Sequence, residues 1–213
     1  MKNYLLFDHD GVLVDTERWY YRAAERAFAQ LGLTLDPEQY QRDMVAGAGS
    51  WAQARAAGVA ESVIDRLRAA RDTYYHEYLQ TEDIEIPGVL DVLAELSAHV
   101  RMAIVTTSKR ADFEFIHRAR RITAHMDFVL TREDYTQAKP HPEPYLTGLR
   151  RFGARTDEVL VVEDSARGLT SAVAAGLDCA VVHHDFTATH DFSLARHRIT
   201  TLAELTSIVL DAG

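Results

Sequence analysis

Five short runs of the chain are apolar almost without interruption: residues 3 to 7, Met102-Ala103-Ile104-Val105, Phe128-Val129-Leu130, Val159-Leu160-Val161-Val162 and Ala180-Val181-Val182. A strand with one wetted face alternates apolar and polar residues, whereas a strand covered on both faces does not. Helical stretches separate these runs. That order predicts an α/β fold, a doubly wound parallel sheet with helices on both faces.

The segment between the first two runs is far longer than a usual crossover connection and contains no convincing strand. Thr16 can cap a helix whose inner face is Tyr20, Ala23, Ala24, Ala27, Phe28 and Leu31, with Gly32 as its stop. A second helix shows Val63, Ile64, Leu67, Ala70, Tyr74 and Tyr78 at similar spacing, and shorter helices are expected over residues 37 to 46 and 51 to 57. Pro87-Gly88 marks the return to the sheet and opens a helix with Val89, Leu93 and Leu96 inward. The expected division is a core of residues 1–15 and 84–213 interrupted by a helical insertion over 16–83.

At 213 residues, 47% hydrophobic and 26% charged, the chain suits one packed core plus a smaller unit. No apolar run approaches the roughly 20 residues of a membrane span. The apolar stretch at the N-terminus is too short for a signal peptide, so a cytoplasmic location is expected. The lone Cys179 has no internal partner and reads as a small core residue. A net charge of −9 repels polyanions and argues against nucleic acid as a partner. The one basic cluster, His117-Arg118-Ala119-Arg120-Arg121, reads as a solvated helix face. Three lysines stand against twenty arginines, so the position of each lysine is informative.

Polar residues collect at the carboxyl ends of the expected strands: Asp8 and Asp10 after the first, Thr106 after the second, Glu163 and Asp164 after the fourth. In an open parallel sheet that edge is where ligands bind. Lys139 follows the third strand in Ala138-Lys139-Pro140-His141-Pro142, a loop that its prolines stiffen. Four carboxylates would repel one another without a cation, and hard oxygen donors suit Mg2+. With Lys139, such an ion would let a carboxylate approach a phosphate dianion.

The segment Asp8-His9-Asp10-Gly11-Val12-Leu13-Val14-Asp15-Thr16-Glu17 resembles the first motif of the haloacid dehalogenase superfamily. Val105-Thr106-Thr107-Ser108 is similar to its second motif and Lys139-Pro140 to its third. Val161-Val162-Glu163-Asp164-Ser165, with Gly168, Ala172, Ala174, Ala175 and Gly176, is similar to its fourth. The resemblance covers the whole core and places the insertion where that family carries a mobile helical cap. It implies that Asp8 attacks phosphorus to form an aspartyl phosphate while Asp10 protonates the leaving oxygen and later deprotonates water. Thr106, Thr107 and Lys139 would hold the phosphoryl group. Mg2+ would lie on Asp8, Asp164 and the Asp10 carbonyl, with Glu163 direct or through water. Gly47, Ser50 and Trp51 of the cap would face the substrate, with Arg18 and Gly49 sharing that place.

Other readings fit less of the chain. Asp8, Asp10, Gly11 and Glu17 match four positions of an EF-hand loop, but Leu6 would then stand at its first ligand and a strand rather than a helix precedes it. A receiver domain is shorter and carries its phosphoacceptor after a later strand. His9 replaces the apolar residue commoner between the two aspartates and reads as hydrogen-bonded packing or a loop contact. His183, His184 and His190 fit no metal-site spacing and read as a solvated loop. Within the superfamily the likeness is to the β-phosphoglucomutase and phosphoglycolate phosphatase branch. Tyr20 stands where the mutase has a cap histidine, Gly47 to Trp51 lacks a cap arginine, and no lysine occurs from residue 3 to 108, which also removes a cap Schiff base. Hydrolysis of a small phosphomonoester is therefore expected, with a mutase or a non-catalytic phosphate-binding protein as alternatives.

Overall fold

A computed structural model describes residues 2–184 and 187–210. The chain forms two compact units, Thr16–Ile84 and the combination of Met1–Asp15 with Glu85–Gly213.

The first of these is helical: α1 (Glu17–Ala29), α2 (Pro37–Val45), α3 (Ala52–Ala56) and α4 (Glu61–Thr81). Asp36 caps α2, its side chain accepting from the Gln39 N–H at 2.6 Å, and Pro37 opens the helix without losing a bond. The long helices α1 and α4 pack on each other, with the Tyr20 and Tyr75 rings 5.2 Å apart, and α1 buries Ala23, Ala24, Ala27 and Phe28. The buried stripe of α4 is Ile64, Leu67, Arg71, Tyr75 and Leu79. The sequence pattern placed Tyr74 and Tyr78 inward instead. The error has a physical source: Arg71 occupies a buried position, which disguises the true stripe as polar, and its guanidinium lies 4.2 Å above the Tyr20 ring. Leu31, expected on the inner face of α1, lies beyond the helix and is exposed.

In the other unit the helices are α5 (Val89–Leu96), α6 (Arg110–His117), α7 (Glu143–Phe152), α8 (Ala166–Ala174) and α9 (Glu204–Leu210). They flank a six-stranded sheet among the described residues: β1 (Tyr4–Phe7), β2 (Arg101–Val105), β3 (Phe128–Leu130), β4 (Val159–Glu163), β5 (Asp178–Val182) and β6 (His197–Ile199). Every pairing is parallel and the spatial order is β3-β2-β1-β4-β5-β6. The doubly wound α/β class expected from the continuous apolar runs is the class observed. Leu5, Leu6 and Phe7 are wholly buried, as are Val159 to Val162, so both faces are covered. Each such side chain contributes about 1.5–3 kcal/mol by leaving water. The edge strand β6 escaped the sequence pattern because only Ile199 of its three residues is buried.

Strand order reverses beside β1, where the chain returns from β3 to place β4 on its other side. Phe7 is in register with Ile104 of β2 and Val162 of β4. The residues just past Phe7 therefore lie level with the ends of both neighbours. Helix α7 approaches the sheet closely at Gly148, where an added Cβ would stand 2.9 Å from a Leu6 methyl.

Candidate active site

Lys139 is the hub of the carboxyl edge. Its buried Nζ donates to Asp8 Oδ1 at 2.5 Å, to Glu163 Oε1 at 2.8 Å and to the Val105 carbonyl at 2.9 Å. All three donors of the ammonium are thus directed, one to the end of each central strand. Burial opposes its charge, but Asp8 and Glu163 outweigh burial and hold the ammonium above its ordinary range.

Glu163 is fully engaged. Oε1 accepts from Lys139 and from the Tyr145 hydroxyl at 2.6 Å; Oε2 accepts from the Asp164 and Ser165 N–H groups and from Ser165 Oγ at 3.0 Å. Burial alone would push this carboxyl up, yet Lys139, Tyr145 and Ser165 hold it below the usual carboxylate range. It sits at the N-terminus of α8, where the helix dipole favours an anion, and Ser165 caps that helix by accepting from the Gly168 N–H at 3.0 Å. Gly168 leaves the room: an added Cβ would lie 1.8 Å from the Glu163 carboxylate. Gly168→Ala is therefore expected to cost about 3 kcal/mol through forced overpacking, read in a thermal melt as a fall in Tm on the order of 6–12 °C. A melt within a degree of the parent would show that Glu163 is not locked in this way.

A second group of contacts surrounds Asp10. Ser108 Oγ donates to Asp10 Oδ2 at 2.6 Å, and Thr106 Oγ1 lies 3.4 Å from the same oxygen. Thr106 is fixed in turn, accepting from the Ser108 N–H at 3.0 Å, while its carbonyl accepts from the Tyr135 hydroxyl at 2.7 Å. Thr107 Oγ1 meets Arg167 Nη2 at 3.5 Å. His9, between the two aspartates, is wholly buried and its Nε2 pairs with Nε2 of His117 at 2.8 Å. Its reading as hydrogen-bonded packing agrees with this contact. His117 does not belong to a solvated basic face as the sequence suggested; its ring turns inward from the end of α6.

Asp164 lies beside Asp8 and Glu163, and one carboxylate oxygen from each of the three falls within 4.8 Å of the others. Burial first, then the charges of Glu163 and Asp8, push the Asp164 carboxyl well above its usual range. Burial, with Glu163 and Asp10, likewise raises Asp8 to about 7 against the pull of Lys139. One ammonium is thus too little positive charge for three neighbouring carboxylates. An all-oxygen donor set short of positive charge fits a hard divalent cation. Gly11, at φ +78°, passes so close to Asp164 that an added Cβ would lie 2.1 Å from its Oδ2. His184 Nε2 is 2.9 Å from that same oxygen, which corrects the expectation that the histidines after β5 belong only to a solvated loop.

The structure thus gathers Asp8, Asp10, Thr106, Lys139, Glu163 and Asp164 at one sheet edge, with Thr107 beside them. Gly47, Ser50 and Trp51 belong to the helical unit, where Trp51 is buried and stacks on Phe28 at 5.4 Å. Sequence reasoning missed Ser108, Tyr145, Ser165, His117 and His184. Tyr145 was not singled out from the sequence, and its contact with Glu163 is what distinguishes it. Ser108 lay inside a quoted motif without a role.

Paired aspartates, a lysine and a hydroxyl at the switch point of a parallel sheet define an α/β enzyme site for anionic substrates. The profile of the haloacid dehalogenase-like hydrolases matches residues 5–182. The protein CbbY of Cereibacter sphaeroides is 30% identical over 216 residues, covering 94% of this chain and 93% of its own length. The pyrophosphatase PpaX of Bacillus cereus is 28% identical, covering 84% of this chain and 82% of its own. A crystal structure of a CbbY variant from Rhodobacter sphaeroides in complex with xylulose-(1,5)bisphosphate superposes with a TM-score of 0.81 at 28% identity, covering 96% of each chain. The chain belongs to the haloacid dehalogenase-like hydrolases. It is an enzyme of the hydrolase class, and relatives it resembles are phosphatases by name. No described helix is long and apolar enough to cross a membrane.

Proposed function

We propose that this hydrolase is a magnesium-dependent phosphatase that cleaves small phosphomonoesters through an aspartyl phosphate on Asp8. The observation that carries the reading is the placement of Asp8: bound to Lys139, next to an acidic cluster suited to a cation, and two residues from a second aspartate held by hydroxyls.

Asp8 attacks phosphorus in line with the leaving oxygen, and the P–O bond to that oxygen breaks as the acyl phosphate forms. Asp10 gives its proton to the leaving oxygen. In the second step Asp10 takes a proton from water, which attacks phosphorus and releases phosphate from Asp8. As Asp8 attacks, the Lys139 N–H it held turns to a phosphoryl oxygen and Thr106 offers its hydroxyl to another, while Glu163 keeps Lys139 in place. Asp8, Asp164 and the Asp10 carbonyl would hold magnesium, with Glu163 in support. The bound ion supplies the positive charge that lets two anions meet. The helical unit, expected over 16–83, serves as the cap, with Gly47, Ser50 and Trp51 offered to the substrate.

The alternative of a mutase lacks its cap histidine and cap arginine here, as Tyr20 and the segment Gly47–Trp51 show in the sequence. Names among the relatives point to small phosphorylated metabolites, a pyrophosphate and a sugar bisphosphate included. The test is release of phosphate from 4-nitrophenyl phosphate with and without magnesium, followed by a panel of metabolite phosphates ranked by kcat/KM. Magnesium-dependent release is expected. Its absence, or turnover that needs a bisphosphate activator and yields an isomer, overturns the reading. Ser50→Ala is expected to reorder the panel while leaving the aryl phosphate within about threefold, since loss of one hydroxyl contact changes binding by about 0.5–1.5 kcal/mol. An unchanged order would remove Ser50 from the substrate contacts.

A further inference from the structure

His9 connects α6 to the proposed acid–base residue. Its Nε2 is 2.8 Å from Nε2 of His117, and its Nδ1 is 3.3 Å from Asp10 Oδ2. Phe113, one turn earlier on α6, packs on both rings, with centroids 4.9 Å from His9 and 4.4 Å from His117. The Nδ1 contact has hydrogen-bond distance without hydrogen-bond alignment, and this buried nitrogen has no hydrogen-bond partner among the described residues.

Two ring nitrogens 2.8 Å apart share one proton. Were that proton on His9 Nε2, the lone pair of His9 Nδ1 would face the Asp10 carboxylate in a buried place, where repulsion between like partial charges is poorly screened. With the proton on His117 Nε2, the His9 proton sits on Nδ1 and faces Asp10 Oδ2. Burial pushes the His117 imidazole down to about 3, so that ring is neutral and can donate from only one nitrogen. The second arrangement replaces a repulsion by an attraction.

We propose, building on the phosphatase reading above, that His9 is a positioning residue for Asp10, its tautomer fixed by His117 so that its Nδ1 proton helps to hold Oδ2. The hydroxyls of Ser108 and Thr106 lie against the same oxygen. The Ser108 hydroxyl and the Nδ1 proton together fill the two lone pairs of Oδ2, and Thr106 keeps its single proton for the phosphoryl group. Protons exchanged with the leaving oxygen and with water therefore travel on Oδ1. The sequence departure at position 9 thus has a role in orienting the acid rather than in filling space.

The test uses the full chain with magnesium and a series of phosphate esters from 4-nitrophenyl phosphate to a simple alkyl phosphate. kcat/KM reports the transfer to Asp8, and help from an acid matters most where the leaving group is poor. His9→Phe is expected to lower kcat/KM for the alkyl ester by about 10–100-fold, part of the loss of a general acid, and for the 4-nitrophenyl ester by less than about threefold. His9→Asn, which restores an N–H at the Nδ1 position, is expected to recover most of the alkyl-ester rate. His117→Phe, altered at a less buried ring, is expected to show the same leaving-group-dependent loss in smaller measure, which keeps the test open if His9→Phe does not fold. Equal loss across the series, or His9→Asn no better than His9→Phe, overturns the proposal. Inactivity of the parent enzyme on 4-nitrophenyl phosphate with magnesium would instead overturn the phosphatase reading itself.

Discussion

Asp8→Asn is expected to abolish phosphate release, by at least about a thousandfold, as removal of a covalent nucleophile does elsewhere. The amide keeps the shape of the side chain and an oxygen for Lys139, while Glu163 continues to bind the same ammonium. It also removes one charge from a buried cluster in which the Asp8 carboxyl is already pushed up to about 7. The metal-free variant is therefore expected to melt no lower than its parent at neutral pH, which separates lost chemistry from lost folding. In the parent, rapid acid quenching during turnover followed by hydroxylamine should convert Asp8 to its hydroxamate, located by peptide mass. A fully active Asp8→Asn enzyme, or a label on another residue, would falsify the assignment of the nucleophile.

What the sequence revealed of this site follows from how each residue is used. Asp8, Asp10, Thr106, Glu163 and Asp164 could be placed because a parallel sheet carries its chemistry where apolar runs end. Lys139 stood out by the scarcity of lysine and the prolines around it. Tyr145, Ser165 and Ser108 act through hydrogen bonds to those residues, and nothing in their local pattern separates a tyrosine under Glu163 from one in any apolar helix face. His117 was misread for the same reason. A basic run at a helix end looks solvated, and only the fold brings that ring to His9. Arg71 shows the converse failure, since a charged residue in a buried stripe shifts the apparent periodicity of α4.

The class of fold was more legible than its edges. Continuous apolar strands identify a covered parallel sheet, and each of the five predicted runs falls on a strand of it, the first losing only Asn3. β6 pairs with β5 through three residues of mixed polarity, so backbone pairing rather than burial makes it a strand. Gly11 and Gly168 carry information that composition hides: each is the gap into which a carboxylate fits. Site geometry therefore rests as much on missing side chains as on those present.

Removing the divalent cation is expected to stop turnover and also to change how stability depends on pH. In the metal-free protein Asp8 is raised from 3.8 to about 7 and Asp164 well above its ordinary range. A carboxyl with a raised folded value binds more protons folded than unfolded, so its contribution to stability is lost as pH rises through that folded value. Glu163, held low, contributes in the opposite sense but only near and below its ordinary 4.5. His117, lowered to about 3, and His190 and His197, also lowered, make stability rise with pH through 6.5, a term that fades within about one unit above it. Between pH 6.5 and pH 8 the aspartates therefore decide the sign, and the chelated protein should lose stability as pH increases. A cation must displace those same protons, so it binds more tightly at the upper end of the window. At a hundredfold excess over its Kd, magnesium adds about 2.7 kcal/mol, which for a chain of this size raises Tm on the order of 5–10 °C. Calorimetric melts in chelator and in magnesium at pH 6.5 and pH 8 should show a falling Tm without the ion and a larger magnesium increment at pH 8. A chelated protein that grows more stable across that interval, with an equal increment at both ends, would rule out an acidic centre that holds its protons until a cation replaces them.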